Sequence, residues 1–176
     1  QFADNPFLPK FYQDMSRYSF PLELSFLAER YKQLKDMLNN RDLFSEYIIS
    51  DYLFIKSKLF ARVNLPEDEY KLYETLFDII YPNLPQPDLV IFLDAPLQKL
   101  RENIKKRNRD YEQNIQDNYL NEIQESYLQL IKSQTQRTFI IDTSKTDFLN
   151  NRQQFDHLLA YLKMEFPMGR HYVDVW

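Results

Sequence analysis

The chain has 176 residues, 44% hydrophobic and 27% charged, with a net charge of −4. That is enough for one globular domain with a buried core, and too acidic for a general attraction to nucleic acid or anionic membranes. A single glycine, Gly169, excludes a glycine-rich phosphate loop within these residues, and the absence of cysteine excludes disulfides, thiol catalysis and cysteine zinc sites.

Other exclusions follow from the same counts. Aromatics at 16% argue against disorder. His157 and His171 stand too far apart for a helical metal pair. No apolar run approaches the roughly 18 residues of a membrane helix, and no signal peptide is visible. The missing cysteine fits a cytoplasmic protein. The first residue is Gln rather than Met, so the chain reads as processed, trimmed or a partial reading frame.

Taken in chain order, residues 1–18 read as a turn entering a helix, with Pro6 and Pro9 among aromatics. Phe20, Leu24, Leu27, Tyr31, Leu34 and Leu38 have helical spacing, and Ser19 with Pro21 suggests the start. Glu46 to Asp51 is a short apolar run ending in an acid, as in a buried strand. Residues 52–63 look helical. Pro66 followed by Glu67, Asp68 and Glu69 opens another helix that ends near Tyr81-Pro82, its acids placed where the helix dipole favours them.

The stretch from Asp88 to Asp94 holds five consecutive apolar residues, the pattern of a strand covered on both faces. Pro96 opens a basic helix, and residues 117–134 form a long helix. Thr138 to Asp142 reads as a third strand, a last helix covers about 148–165, and the aromatic tail 167–176 is unassigned. Buried strands alternating with helices predict an α/β fold, a three-layer parallel sheet with helices on both faces. Without repeats or linkers, one domain over 1–166 is expected, followed by the tail.

Two features carry candidate chemistry. The three predicted strands end at Asp51, Asp94 and Asp142, and ligands gather at the carboxyl ends of strands in open α/β sheets. Acids also cap strand ends and begin turns, so this signal alone leaves both readings open. Lys99, Arg101, Lys105, Lys106, Arg107 and Arg109 form the densest charge cluster. Arg107 and Arg109 are two apart, so they converge only if the helix ends or bends at Asn108. Arginine forks suit phosphate oxygens. A solvated helix face with ordinary ion pairs would use the same residues, whereas a nucleic-acid surface fits poorly with so short a patch in an acidic chain.

Here the motifs meet a known family. Asn5 to Leu8 with Phe11-Tyr12, Arg17 to Leu24, Phe26-Leu27, Arg30, Pro87 to Leu93, Arg107 to Glu112, Tyr119-Leu120, Tyr127 and Ile140 to Asp142 follow one order and spacing. In these pieces residues of about 1–150 resemble the deoxynucleoside kinases, which phosphorylate the 5′-hydroxyl of deoxyribonucleosides. The resemblance implies that Arg107 and Arg109 are lid arginines closing over the donor phosphates of ATP. It implies that Glu112, with Tyr12, holds the deoxyribose 3′-hydroxyl, a hydroxyl that a carboxylate and a phenol can share. It places Glu23 and Arg30 at the base, and Asp142 at the loop that packs on the adenine of ATP. It also implies a homodimer, with the helix at 20–38 as one interface candidate.

The departures from the family's pattern bear on activity. The phosphate loop, the first helix and the general-base acid are absent, and belong roughly 40 residues upstream of Gln1. The resemblance further implies a five-stranded sheet whose central strand lies in that upstream part, so the chain reads as the carboxyl-terminal portion of a longer kinase, inactive by itself. Glu23 stands where many members have a base-reading Gln. Ser50-Asp51-Tyr52 stands where members have an acid-Arg-Ser signature, leaving Asp51 as the acid toward magnesium and the arginine absent. Asn103 and Asn108 replace a lid arginine and a glycine, with Arg101 as a substitute cation. These departures motivate the alternatives, a non-catalytic kinase-like binding or assembly domain, or a nucleoside monophosphate kinase.

Overall fold

The computed structural model describes residues 5–39 and 47–176, with the side chains of 38 and 39 left aside. Contacts divide the chain into two compact units, Gln1–Pro85 and Gln86–Trp176, a finer division than the single domain expected.

The first unit is helical. A short α1 (Leu8–Phe11) leads into α2 (Met15–Asn39), followed by α3 (Lys56–Asn64) and α4 (Glu67–Ile80). The helix α2 begins before Ser19 and runs through Pro21. Asp14 caps it: its Oδ1 accepts from the Arg17 backbone N–H at 3.2 Å, the bond that an N-cap supplies to an otherwise unpaired first-turn donor. The Ser19 hydroxyl donates to the Met15 carbonyl one turn back.

The apolar stripe of α2 is taken up by the core of this unit. Leu27, Phe54, Ala61, Leu65, Tyr70, Tyr73, Phe77 and Leu84 are buried together. Phe54 stacks on Phe77 at 5.5 Å, and Phe77 on Tyr81 at 4.9 Å. Glu67, Asp68 and Glu69 occupy the first turn of α4, with Pro66 as the residue before it.

The strand predicted around 46–51 is not formed. Tyr47 to Ser50 have no regular structure, with Tyr47 82% and Ile49 94% exposed, and Glu46 lies outside the described residues. A strand exists only against a partner that takes its backbone bonds, and among the described residues none lies beside this run. Apolar composition alone does not make one.

The second unit carries the sheet. Its elements are β1 (Val90–Asp94), α5 (Leu97–Arg107), α6 (Asp117–Ser133), β2 (Thr138–Asp142), α7 (Arg152–Leu162) and β3 (Arg170–Tyr172). The strands are parallel in the order β1-β2-β3, with Val90 opposite Thr138 and Asp94 opposite Asp142. The β3 strand comes from the tail, which the sequence left unassigned, and Val173 and Val175 just after it are buried with Phe139 and Ile141.

Helices lie on both faces, as expected of this α/β class. Phe92 meets Tyr127 of α6 at 5.9 Å on one face. Phe139 and Ile141 pack with Leu158 and Tyr161 of α7 on the other. Burying each such side chain contributes about 1.5–3 kcal/mol. The strand fully covered on both faces is β2, not β1 as the apolar run predicted. Register puts Ile91 and Leu93 on the α7 face, yet they are 38% and 52% exposed, because β1 is an edge strand among the described residues and α7 covers β2.

Candidate functional site

In the first unit, α2 sets Glu23 and Arg30 seven residues apart, two turns, and so on one face of the helix. Buried Leu27 lies between them. Glu23 is 3% exposed, and its partner is an amide rather than a cation: Asn64 Nδ2, at the end of α3, donates to Oε1 at 2.6 Å. Burial pushes the Glu23 carboxyl up to about 7, with the Asn64 hydrogen bond pulling the other way. Desolvation penalises the charged form, and one neutral donor does not offset it.

Arg30 stacks over the Tyr52 ring at 4.2 Å and donates to Gln33 Oε1 at 2.8 Å. With Leu34, Asp51 and Tyr52 it lines a half-open depression of about 390 Å³, to which Glu23 does not contribute. Partial burial lowers its pKa, opposed by Tyr52 and Asp51. Lys56 Nζ lies 5.5 Å from the same ring, and burial lowers its pKa with Arg30 acting in the same direction and Asp51 against. The sequence did not single out Asn64 or Lys56, and Tyr52 entered only as the residue after Asp51.

Asp51 is exposed in a bend rather than at the end of a strand. Its charge acts on Arg30 and Lys56. Among the described residues no three His, Cys, Asp or Glu side chains gather to hold a metal. A lone exposed acid beside two cations does not fit a magnesium ion, which takes several oxygen ligands, so no step is assigned to one. Tyr12 caps the end of α1, half-buried, its ring edge-on to Phe11 at 5.1 Å.

In the second unit the basic helix α5 ends at Arg107, and Asn108 takes the left-handed conformation at φ 53°. Asn adopts this conformation at lower cost than most residues, which makes it a natural helix stop in place of glycine. The chain turns, Arg109 is extended, and a 3-10 turn from Asp110 to Glu112 follows. The expected convergence is therefore present. Arg107 Nη2 lies 2.6 Å from Glu112 Oε2, and Arg109 Nη1 lies 3.2 Å from Oε1. The carboxylate is buried while both guanidiniums remain partly exposed. The Glu112 hydrogen bond holds the Arg109 pKa above its ordinary value. Arg101 pairs instead with Asp117, away from this trio.

Asp142 closes β2, exposed, level with Asp94 at the carboxyl edge of the sheet. Its Oδ1 accepts from the Ser144 N–H at 2.8 Å, which lowers its pKa. The loop behind it is tied down by Thr143, whose N–H and hydroxyl both donate to the Asp94 carbonyl at 2.7 Å. The second unit thus presents two arginines on one buried acid, and a fixed loop after β2.

Comparison with known proteins bears on this arrangement. The model of the deoxynucleoside kinase family matches residues 1–166. The deoxyguanosine kinase of Bacillus subtilis is 32% identical over 165 residues, 91% of this chain and 80% of that protein. The deoxyadenosine/deoxycytidine kinase of the same organism is 30% identical over 130 residues, 70% of this chain and 58% of that protein. The structure of deoxyadenosine kinase from M. mycoides with bound dATP superposes with a TM-score of 0.76, covering 92% of this chain and 83% of that one at 25% identity. A parallel sheet with helices on both faces, the arginine pair at the end of α5 and a match over nearly the whole chain lead to one conclusion: this chain belongs to the deoxynucleoside kinase family.

Proposed function

We propose that the protein transfers a phosphoryl group from ATP to the 5′-hydroxyl of a deoxyribonucleoside. The observation that supports this most directly is the convergence of Arg107 and Arg109 on buried Glu112 through the left-handed Asn108. Phosphoryl transfer proceeds through a loose, highly charged transition state and is catalysed by positioning and electrostatics. Two guanidiniums held together on a mobile-length side chain each are suited to neutralise that charge. In this reading they exchange one contact with Glu112 for the donor phosphates, while Glu112 keeps the charge of the pair balanced and accepts from the sugar 3′-hydroxyl.

The remaining roles are assigned unit by unit. In the first, Tyr12 serves the sugar hydroxyl, and Glu23 and Arg30 serve the base. In the second, the Asp142 loop serves the adenine of ATP. Asp51 is left as an acid beside Arg30 and Lys56, orienting those cations electrostatically. Leu72, Leu76 and Ile79 form an exposed apolar stripe on α4, which supports assembly as a homodimer. With the α2 stripe occupied by the core, α4 is the better interface candidate. A cytoplasmic location is consistent with the cysteine-free sequence.

The test is an assay of the protein expressed from its complete coding sequence, with ATP labelled at the γ-phosphate and each deoxyribonucleoside in turn. A labelled 5′-monophosphate is the expected product. Nucleoside binding without transfer would sink the proposal, and a diphosphate formed only from a monophosphate would reassign the acceptor.

A further inference from the structure

The first unit carries a buried acid whose only hydrogen bond among the described residues is to a neutral amide. Asn64 Nδ2 can donate but not accept, so Glu23 Oε1 is an acceptor in either protonation state. The Asn64 donor on Oε1 leaves Oε2 as the oxygen that carries the proton when the carboxyl is neutral. Ionised, Glu23 offers two acceptor oxygens side by side. Protonated, it offers one donor and one acceptor, as an amide does.

These two states complement different bases. Guanine presents adjacent N1–H and N2–H donors, which a carboxylate accepts together. Adenine presents an acceptor ring nitrogen beside its N6–H donor, which requires a donor-acceptor pair. We propose that the Asn64–Glu23 pair is the base-selecting element of this enzyme, with Asn64 as the positioning residue that holds Glu23 as a two-oxygen acceptor for guanine. This rests on the reading that Glu23 faces the base, and it names the substrate class of that site.

The surroundings of Glu23 agree with a carboxyl poised between the two states. Tyr73, from α4, senses the Glu23 charge. Tyr52, from the segment before α3, shares its hydroxyl with Ser57 at 2.6 Å and also senses the Glu23 charge. Arg30 and Lys56 adjoin Tyr52 rather than Glu23. No ion pair reaches Glu23 among the described residues. Its ionisation is therefore set by burial against the Asn64 donor, and removing that donor favours the protonated form.

The test measures kcat and KM for deoxyguanosine and deoxyadenosine from about pH 5.5 to about pH 8.5. It uses the full-length protein and its Asn64→Ala, Asn64→Ser and Glu23→Gln variants. In the native protein, the deoxyguanosine preference is expected to rise about tenfold or more with pH through neutrality, mostly in KM. Asn64→Ala should lower that preference about tenfold near pH 7.5 and move the inflection to higher pH. Asn64→Ser, which keeps a small donor, should restore part of it, and it carries the test if Asn64→Ala does not fold. Glu23→Gln should remove the pH dependence and favour deoxyadenosine.

The outcomes separate the two layers of the argument. If Glu23→Gln leaves the KM of both nucleosides unchanged, Glu23 does not face the base and the underlying reading fails. If Glu23→Gln alters selectivity but both Asn64 variants keep the native ratio and pH profile, the reading stands and the inference is overturned. A native preference that is flat with pH overturns it as well.

Discussion

Two glutamates, one in each unit, are buried to nearly the same degree and meet opposite surroundings. Glu23 is 3% exposed and hydrogen-bonds an amide. Glu112 is 5% exposed and faces two guanidiniums. Burial alone therefore does not decide what a carboxyl does; its partners do. The uncompensated acid is held near neutral pKa and can switch between acceptor and donor. The doubly paired acid instead anchors two cations whose outer surfaces stay accessible. In the proposed function the first carboxyl reads the base and the second holds the arginines that act on the transferring phosphoryl group.

The largest expected effect comes from breaking the paired side of this contrast. Arg109→Ala removes one cation from Glu112 and from the proposed donor phosphates. Turnover should fall about 1,000-fold, the lower range for an arginine acting on a transferring phosphoryl group, while nucleoside KM changes little. Steady-state kinetics on the full-length protein would check this, and equal losses in binding and turnover would count against a lid role.

Glu112→Gln keeps the volume and removes the charge. Arg109 then loses a charge-assisted hydrogen bond, of the kind worth about 1.5–3 kcal/mol, and Arg107 loses its ion pair. The proposed 3′-hydroxyl contact loses its charged acceptor, a hydrogen bond of about 1.5–3 kcal/mol, so nucleoside KM should rise roughly 10- to 100-fold, with a smaller effect on turnover than Arg109→Ala. An unchanged KM would remove Glu112 from the sugar site.

The unpaired side is broken by changing pH rather than charge partners. An unfolded Glu23 loses its proton near its ordinary value of 4.5, whereas the folded protein holds it to about 7. Between these values the folded state binds more protons, so stability falls as pH rises across that window and stays low above it. The penalty is on the order of 3 kcal/mol when complete. Glu23→Gln should remove it: the variant gains stability over the native protein at pH 8 and gains little at pH 4. Chemical denaturation at both pH values reads this directly, and equal stability differences at the two would show that Glu23 is not held protonated by burial.

Reading the sequence located much of this and missed the rest for identifiable reasons. Arg107, Arg109 and Glu112 were legible because they are close in sequence and their convergence depends on one local event, the left-handed turn at Asn108. The β1 and β2 strands were legible as apolar runs bounded by turns. Tyr47 to Ser50 has the same composition, but strand formation is a property of pairs, and no partner is encoded in the run itself. The β3 strand was missed for the converse reason: Arg170–Tyr172 is short and polar, and it pairs only because β2 offers an edge. Asn64 escaped because its role depends on a residue 41 positions earlier in the chain. The start of α2 was misplaced because Pro21 outweighed Asp14, a cap four residues before Tyr18.

The smallest predicted effect calibrates the others. Asn151 caps α7, its side chain accepting from the Gln154 N–H at 3.2 Å. It touches neither glutamate and none of the proposed site residues. Asn151→Ala removes one neutral N-cap bond, for which about 1 kcal/mol is the usual cost. Thermal unfolding should record that loss, with nucleoside KM, turnover and base preference unchanged. This variant fixes how far a purely structural loss of hydrogen bonding moves the kinetic readouts. If Asn151→Ala shifts base preference as much as Asn64→Ala does, then selectivity follows general stability and the contrast between the two glutamates has no bearing on substrate choice. If selectivity stays fixed while stability drops, the changes produced at Glu23 and Glu112 belong to the chemistry of those two carboxyls.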